Sequence, residues 1–589
     1  MADDAKTVEG PVRAAQPPAA DPQSQEHYDA IKAKFAAERD LRLAYRPEGS
    51  AQYTSELTGD LARYAVDPYS AKAPPREPLN DHVEALFIGG GFSALLTAAR
   101  LRERGVESIR IVERGGDVGG TWYWNRYPGA ACDVPAADYL PLLDEMGYVP
   151  PRFYAPGPEI FAHCQAIARR YDLYDLAVFH TTVTSTTWDE DAKVWRLTTD
   201  RGDNLTAQFV ICANGTLSKP KLSKIRGMET FAGYGFHSSC WDYEYTGEQL
   251  EKLSDKVVGI IGTGASAVQI IPRVGKAAKA LYVFQRTPSG IDIRNDRPTD
   301  PEWIANLKPG WQQARREKNL RGGPPPTPEQ QAQRAALSRE ERIRQQENAN
   351  IDHMMRIHRR IEEIVEDPKT AEALKPWYMF MCKRPCFDDE YLPAFNRPNV
   401  HLVDTHGKGI TEIAPEGPVF EGVTYPVDVL IYATGFEVQK TGIYNRIVGQ
   451  NGVDLNQLYD EQGIRTLFGV HTHGFPNLFI MGGYQASFQF NLTFMLQCQG
   501  DHIAECIKLV RAKGCEALDV KPETEEWWVQ EVISHRGKTN RNAECTPGYY
   551  NFEGEFNRRQ DGNYNGGFLK YYTHMNDVRQ SLEDHFEFS

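Results

Sequence analysis

Two glycine-rich turns in this 589-residue chain have the spacing that binds the pyrophosphate of a dinucleotide. The first glycine of such a turn permits a tight bend, and the second lets the pyrophosphate approach a helix N-terminus, whose N–H groups favour anions. Each turn lies between an apolar strand and a helix, as this binding mode requires. Both follow the pattern GxGxxA: Gly89-Gly90-Gly91-Phe92-Ser93-Ala94 and Gly262-Thr263-Gly264-Ala265-Ser266-Ala267.

The residue 24 positions after the first glycine differs between the two turns. After Gly89 it is Glu113, and an acid at this strand end accepts hydrogen bonds from a free ribose hydroxyl. After Gly262 it is Arg286, followed by Thr287, and a guanidinium pairs with a 2′-phosphate instead. The sequence therefore predicts FAD or NAD in the first site and NADPH in the second, with electrons passing between two cofactors.

Two further segments are rich in aromatic residues and glycine. Residues 120–133 read GTWYWNRYPGAACD, and residues 231–242 read FAGYGFHSSCWD, where Gly233, His237 and Trp241 carry the spacing. Taken alone, such segments are typical of an ordinary core, with His237 as a hydrogen-bonded histidine between domains. Together they resemble the two fingerprints of Baeyer-Villiger monooxygenases: Gly-x-Trp followed by aromatic-Pro-Gly and Asp, and FxGxxxHxxxW followed by Pro or Asp. The resemblance covers roughly residues 80–570.

This resemblance implies a flavin enzyme that uses FAD, NADPH and O2 to insert one oxygen atom beside a ketone carbonyl, giving an ester or a lactone. It implies that Lys383 helps to bind the 2′-phosphate and that Arg384 stabilises negative charge on oxygen. Arginine suits the second role because its charge persists at any working pH. Asp133 is expected near the flavin, where it orients Arg384. The other implied FAD contacts are Thr121, Trp122, Tyr123, Trp124, Tyr139 and Val183.

One segment near the C-terminus departs from the pattern of many family members. They place a tryptophan against the nicotinamide and the substrate, whereas residues 545–551 read CTPGYYN and offer Tyr549 or Tyr550. The chain also has an N-terminal helical extension, which members acting on small ketones commonly lack. Both features resemble the branch that acts on macrocyclic, steroidal or polycyclic terpenoid ketones, so we expect a bulky cyclic ketone.

An α/β fold with two Rossmann-like domains must position these residues. Strand, glycine turn, helix and strand follow one another from Val83 and again from Lys256, the order of a βαβ unit. After residue 399 the chain returns to apolar strands (VHLV, VDVLIYATGF and PNLFIMGG), which we expect to complete the first sheet. The predicted FAD domain is therefore discontinuous, over residues 81–220 and 400–589, with the NADPH domain over residues 221–399.

Helical sequence outside these domains is predicted at two places. Residues 299–374 are polar and helix-periodic, and form a helical insertion in the NADPH domain. Residues 1–80 combine a mobile tail (residues 1–25), an amphipathic helix from His27 to Tyr45 that packs on the body of the protein, and a stiff proline-rich linker.

Composition excludes several classes of protein. With 66 Lys and Arg against 80 Asp and Glu the formal charge is −14, which argues against nucleic acid as a partner. No run approaches the roughly 18 apolar residues that span a bilayer, and the acidic N-terminus does not resemble a secretory signal, so we predict a cytoplasmic protein. None of the ten cysteines forms a CxxC pair, so we predict reduced thiols and no metal site.

Three other functions fit part of the pattern. A flavin monooxygenase that oxygenates nitrogen or sulfur shares both glycine turns, but the complete second fingerprint weighs against it. A flavin disulfide reductase needs a redox pair of cysteines, and only Cys382 and Cys386 come near one, in a CxxxC that flanks Arg384. A dinucleotide sensor without catalysis would bind the cofactors but consume no O2.

Overall fold

Two mainly parallel sheets, each carrying one of the glycine turns, confirm the predicted α/β class with two Rossmann-like units. The predicted N-terminal tail lies outside the described part of the chain, except for its last two residues. The computed structural model describes residues 24–46, 52–70, 73–320, 327–437, 445–487, 491–535, 545–546, 548, 550 and 560–589.

The first sheet has eight strands within the described ranges and carries the turn at Gly89. Ala85 and Phe87 face a core that includes the helices Phe92–Glu103 and Leu492–Lys513, whereas Leu86 faces a second core on the other side. Because both faces are covered, the central strand is a continuous apolar run. Across the sheet the strands are Arg446–Val448, Val183–Asp189, Val194–Thr199, Asn204–Cys212, Asn80–Ile88, Ile109–Val112 and Ala177–Val178, with Leu478–Ile480 paired to Asn204–Cys212.

The second sheet has five parallel strands among the described residues and carries the turn at Gly262. The helix Ala265–Ala277 follows that turn and buries one apolar face against the sheet. Across the sheet the strands are Val400–Asp404, Ala280–Gln285, Val257–Ile261, Val429–Tyr432 and Tyr234–His237.

The prediction that the strands after residue 399 complete the first sheet is wrong for two of the three. Val400–Asp404 pairs with Ala280–Gln285, and Val429–Tyr432 pairs with Val257–Ile261, so both belong to the second sheet. Leu478–Ile480, from the PNLFIMGG segment, joins the first sheet as expected. The boundary drawn between residues 399 and 400 therefore divides the second sheet. A buried parallel strand is the same apolar run in either sheet, so local pattern does not assign it.

Helices occupy most of residues 299–374, as predicted, but they contact both units. Arg315 pairs with Asp138 beside the first sheet at 2.8 Å, and Gln312 accepts a hydrogen bond from the backbone of Leu143. The longest helix begins at a capping box formed by Ser338 and Glu341. The insertion helices are Pro301–Ala305, Trp311–Leu320, Pro328–Ala336, Arg339–Ile364 and Pro368–Ala373.

The N-terminal helix Gln25–Ala44 packs on the insertion, which confirms the expected amphipathic helix. Tyr28 and Phe35 are buried in the core of the second unit, and the Tyr28 hydroxyl donates to Asp352 at 3.0 Å. None of the helices in the described ranges combines the length and the apolar character that a membrane span needs. Other helices are Gly157–Arg170, Leu455–Gln462, Pro522–His535 and Phe568–Gln580. Three two-stranded sheets pair Tyr53–Thr54 with Leu222–Ser223, Ile291–Asp292 with Cys386–Phe387, and Leu518–Val520 with Phe586–Phe588.

The prediction of ten reduced cysteines is wrong for two of them. Cys382 and Cys545 form a disulfide, with their Cα atoms 5.1 Å apart. They are 163 residues apart in sequence, so no local spacing could indicate that they meet. The other eight are free thiols, and all but Cys515 are buried.

A buried histidine pair lies in the core of the first unit. The Nε2 atoms of His471 and His502 are 2.9 Å apart, and Cys506 lies beside them, so three possible metal ligands converge. We assign a hydrogen bond rather than a metal site, because the nearby Arg579 would repel a cation. Burial, together with Arg579, lowers the pKa of His502 to about 3, and burial, together with His502, lowers the pKa of His471 well below its usual value.

We predict that this pair makes the protein less stable in mild acid. Histidine has a pKa of about 6.5 in an unfolded chain. Below that pH the unfolded state binds more protons, so the free energy of unfolding falls by up to about 1.4 kcal/mol per histidine for each pH unit until the folded pKa is reached. The measurement is the urea midpoint at about pH 7.5 and about pH 5.5. Between these two pH values the urea midpoint of His502→Gln should fall less than that of the wild type. The midpoint of the exposed control His82→Gln should fall as much as that of the wild type. An equal decrease in all three proteins would contradict the assignment.

Candidate active site

A cavity of about 1030 Å³ lies between the two units and is lined by both glycine turns. The structure thus brings the two predicted nucleotide sites into one space, and Arg384 lines the same space. Of the residues predicted for the first nucleotide, Gly89, Gly91, Glu113, Thr121, Trp122, Trp124, Asp133, Tyr139 and Val183 line the cavity. Of those predicted for the second, Gly262, Thr263, Gly264, Ala265, Ser266, Arg286, Thr287 and Lys383 line it.

Both turns have the geometry that a pyrophosphate needs. Gly89 and Gly262 have φ of +105° and +110°, and a Cβ atom on either would lie within 3.0 Å of the backbone of the neighbouring strand end. Gly91 and Gly264 are the N-cap residues of the following helices, and neither helix end has a side-chain cap or an acid in its first turn. The helix N–H groups are therefore available to an anion.

Two predicted residues sit behind the turns rather than on the cavity wall. Ala94 and Ala267 are fully buried on the helices that follow. A small residue at this third position allows close packing of helix against strand, which is its role in the pattern.

Glu113 braces the first turn from beneath. One carboxylate oxygen accepts from the backbone N–H of Gly90 and the other from that of Gly115, both at 2.6 Å. Burial raises the pKa of Glu113, and these two N–H groups oppose the shift. The ribose contact expected of Glu113 stays a prediction.

Arg286 is held in the cavity by two residues that the sequence did not single out. Its guanidinium donates to Gln52 Oε1 at 2.7 Å and to the Tyr53 hydroxyl at 2.5 Å. The adjacent Thr287 carbonyl accepts from the Thr263 hydroxyl at 2.9 Å, which ties this strand end to the second turn. Arg286 thus lines the cavity together with the second turn, and its contact with a 2′-phosphate stays a prediction.

The first fingerprint, residues 120–133, is anchored by the N-terminal extension. Tyr123, predicted as an FAD contact, does not line the cavity, and its hydroxyl instead donates to Asp67 at 2.5 Å. The Tyr69 hydroxyl donates to the Trp124 carbonyl and accepts from the backbone N–H of Trp241, so it joins the two fingerprints. Neither Asp67 nor Tyr69 lies in a recognisable motif, and only their contacts show their part in the site.

The same fingerprint docks directly on the second unit. Gly129 has φ of +85°, and a Cβ atom there would lie 2.5 Å from the carbonyl oxygen of Gln269. Tyr127 donates to the Gln269 side chain at 3.0 Å, and that side chain donates to the Ala131 carbonyl. The glycine of the Tyr-Pro-Gly motif is therefore required by close approach of two backbones.

The second fingerprint lies outside the cavity wall and has a supporting role. His237 is fully buried, and its Nδ1 accepts from the backbone N–H of Ser239 at 3.2 Å. Burial lowers its pKa to about 4, so the ring is neutral at neutral pH. Trp241 is also fully buried, and a Cβ atom on Gly233 would lie 2.6 Å from the Asp428 carbonyl oxygen. These residues support the strand Tyr234–His237, and none of the three lines the cavity.

An Arg-Asp-Arg cluster occupies the junction of the two sites. Arg384 donates to one oxygen of Asp133 at 3.2 Å, and Arg294 pairs with the other at 3.1 Å. Arg294 also donates to the Cys132 carbonyl at 2.7 Å. The expected contact between Asp133 and Arg384 is thus present, whereas Arg294 was missed because it follows no motif. Desolvation lowers the pKa of Arg384, but Asp133, Tyr550 and Cys386 together outweigh it, so the pKa is raised overall.

The C-terminal segment contributes to the cavity through Thr546, Gly548 and Tyr550. The disulfide at Cys545 places this segment beside Lys383 and Arg384. Tyr549, the other candidate for the family tryptophan, lies outside the described residues.

Comparison with known proteins gives matches along nearly the whole chain. A sequence-family model described as an NAD(P)-binding Rossmann-like domain matches residues 88–145. Neopentalenolactone D synthase of Streptomyces avermitilis is 44% identical over 560 residues, which cover 89% of this chain and 93% of that protein. Baeyer-Villiger monooxygenase ATR8 of Stachybotrys chlorohalonatus is 41% identical over 568 residues, covering 91% and 90%. The solved polycyclic ketone monooxygenase from Thermothelomyces thermophila has a TM-score of 0.87 at 36% identity, over 96% of this chain and 99% of that one.

These relatives decide between the functions that share two glycine turns. The Cys382–Cys545 disulfide supplies a cysteine pair beside the cavity, so cysteine spacing alone no longer argues against a disulfide reductase. The matches to proteins named monooxygenases argue against a disulfide reductase, because they cover 91% and 96% of this chain. The two turns, the two fingerprints and the full-length relatives together identify the chain as a member of the Baeyer-Villiger monooxygenases.

Proposed function

We propose that this enzyme inserts one oxygen atom from O2 beside the carbonyl of a bulky cyclic or polycyclic ketone, giving an ester or a lactone. FAD binds at the turn of Gly89 and NADPH at the turn of Gly262. When bound, FAD reduced by NADPH supplies the activated oxygen. The observation that carries this proposal is a guanidinium, Arg384, held by Asp133 in the cavity that both turns line.

Arg384 stabilises the negative charge that develops on oxygen as the carbonyl is attacked. A guanidinium has five N–H donors in a fixed plane, and about half of the Arg384 side chain (52%) is exposed. Its donors can therefore reach a developing oxyanion while Asp133 fixes the plane of the group. Fixed charges of this kind need no reorganisation during the reaction.

Arg294 controls how much of that charge Arg384 offers. A carboxylate that pairs with a single guanidinium neutralises the charge of that guanidinium. Asp133, however, is shared by the guanidiniums of Arg294 and Arg384. The cluster of one acid and two bases therefore keeps a net positive charge facing the cavity. Arg294 is only 13% exposed, so it acts through Asp133 rather than on the substrate.

The substrate class is supported by the cavity and by the relatives. Apolar side chains at Phe436, Met481, Leu492 and Leu496 line the cavity and suit an apolar ketone. One relative is named a lactone synthase and one solved structure a polycyclic ketone monooxygenase. We place the reaction in the cytoplasm, because eight of the ten cysteines are free thiols, as a reducing compartment favours. The Cys382–Cys545 disulfide is the exception to that pattern.

Arg384→Ala should still bind FAD but lose ester formation by at least about a hundredfold, since a preorganised charge is removed from the reacting oxygen. Flavin absorbance reports the bound cofactor, and mass spectrometry reports products that gain one oxygen. Arg196→Ala, an exposed arginine paired with Asp189, is the matched control and should keep the wild-type yield. Ester formation at the wild-type rate in Arg384→Ala would exclude the role.

Arg286→Ala should weaken NADPH binding by roughly 1.5 to 3 kcal/mol and leave NADH nearly unchanged, because a charged hydrogen bond to the 2′-phosphate is lost. Titration of the enzyme with each nucleotide measures both affinities. Equal losses for NADPH and NADH would show that Arg286 only braces Gln52 and Tyr53, and Lys383 would then be the leading phosphate ligand.

Bulky apolar ketones should have a higher kcat/KM than small ones. Each additional buried methylene contributes about 0.8 kcal/mol, so a fused-ring or macrocyclic ketone gains several kcal/mol over cyclohexanone. The measurement compares cyclohexanone, phenylacetone, a steroid ketone and a macrocyclic ketone at the same NADPH and O2. Equal kcat/KM for all four would refute the size argument while leaving the reaction class intact.

A further inference from the structure

The N-terminal extension reaches the cavity wall that carries Arg286. Directly after the helix Gln25–Ala44, Tyr45 and Arg46 line the cavity. Further along the extension, Gln52 and Tyr53 line the same wall, where Tyr53–Thr54 pairs antiparallel with Leu222–Ser223. The extension is thus part of the nucleotide cavity and not only a cover for the insertion.

Two guanidiniums meet on this wall. Arg46 donates from Nε to Gln52 Oε1 at 2.9 Å and from Nη2 to the Tyr53 hydroxyl at 3.2 Å. Arg286 donates to the same two oxygens, at 2.7 Å and 2.5 Å. Gln52 and Tyr53 therefore align the two arginines side by side, and both shared acceptors are uncharged groups.

Further positive charge converges on the same place. The ammonium of Lys221 lies 4.2 Å from the centre of the Tyr53 ring. Lys408 also lines the cavity, although its ammonium pairs with Glu421 at 2.7 Å. Arg46 is only 7% exposed, so its charge is largely withdrawn from bulk water. Like charges brought together at one end of a cavity favour a dianion there.

We infer that Arg46 is a second guanidinium ligand for the 2′-phosphate of NADPH, which makes the N-terminal extension a determinant of cofactor specificity. This inference rests on the proposed binding of NADPH at the second turn, with its 2′-phosphate at Arg286. The 2′-phosphate distinguishes NADPH from NADH, and two planar forks can bind one phosphate on different oxygens. Gln52 and Tyr53 act as positioning residues, because they hold both forks in the same orientation.

The test measures equilibrium binding to the FAD-loaded enzyme by calorimetry. The ligands are NADP⁺, NAD⁺ and adenosine 2′,5′-bisphosphate, and the proteins are the wild type, Arg46→Ala, Arg46→Lys and Arg286→Ala. Arg39→Ala is the matched control, since Arg39 lies on the N-terminal helix that precedes Arg46 and pairs with Asp40. Flavin absorbance verifies that each variant is folded.

Arg46→Ala should raise the Kd for NADP⁺ and for the bisphosphate roughly ten- to a hundredfold and leave the Kd for NAD⁺ within about twofold. Arg46→Lys should recover part of the loss, and the effect of Arg46→Ala should shrink at high salt because the interaction is ionic. Arg39→Ala should leave the Kd of both nucleotides unchanged.

An unchanged Kd for NADP⁺ in Arg46→Ala, or equal losses for NADP⁺ and NAD⁺, would overturn the inference. Arg286→Ala separates the role of Arg46 from the proposed position of the 2′-phosphate. If it loses the preference for NADP⁺ while Arg46→Ala keeps it, only the role of Arg46 is wrong. If both variants keep the preference, the proposed position of the 2′-phosphate is wrong as well.

Discussion

The active site depends on how residues 120–133 are held between the two units. This segment leaves the first sheet, touches the second unit at Gln269 and ends at Asp133, which binds Arg384. The backbone contact at Gly129 leaves no room for a side chain, so the segment lies directly against the backbone of Gln269. Tyr69 fixes its other end against the second fingerprint. A displacement at any of these points would move the carboxylate that binds Arg384.

Local chemistry explains which features could be predicted from the sequence. A glycine turn is defined by six consecutive residues. Glu113 and Arg286 each follow the next strand, 24 positions after the first glycine of their own turn, so both nucleotide sites could be predicted from local sequence. The fingerprints could be recognised by their resemblance to the family. Their position could not be predicted, since His237 and Trp241 are buried outside the cavity. The contact between Asp133 and Arg384 followed from the family alone, because 251 residues separate them.

Features that depend on contacts between distant residues could not be predicted. Val400–Asp404 and Val429–Tyr432 are apolar runs that fit either sheet, and only the path of the chain assigns them to the second. Arg294 and Tyr69 are ordinary residues in sequence, and their contacts with Asp133 and Trp241 each join positions more than 100 residues apart. The insertion shows the same limit, because Arg315 reaches Asp138 across the boundary between the units.

The disulfide between Cys382 and Cys545 closes a covalent ring through both units. The ring contains strands of the second sheet, such as Val429–Tyr432, and strands of the first sheet, such as Leu478–Ile480. An unfolded chain with this ring intact samples far fewer arrangements, an entropic restriction on the order of 5 kcal/mol for a loop of this length. When one sheet melts, its strands stay tethered near the other at high effective concentration. In the oxidised protein the two nucleotide-binding units are therefore joined topologically as well as by their packing.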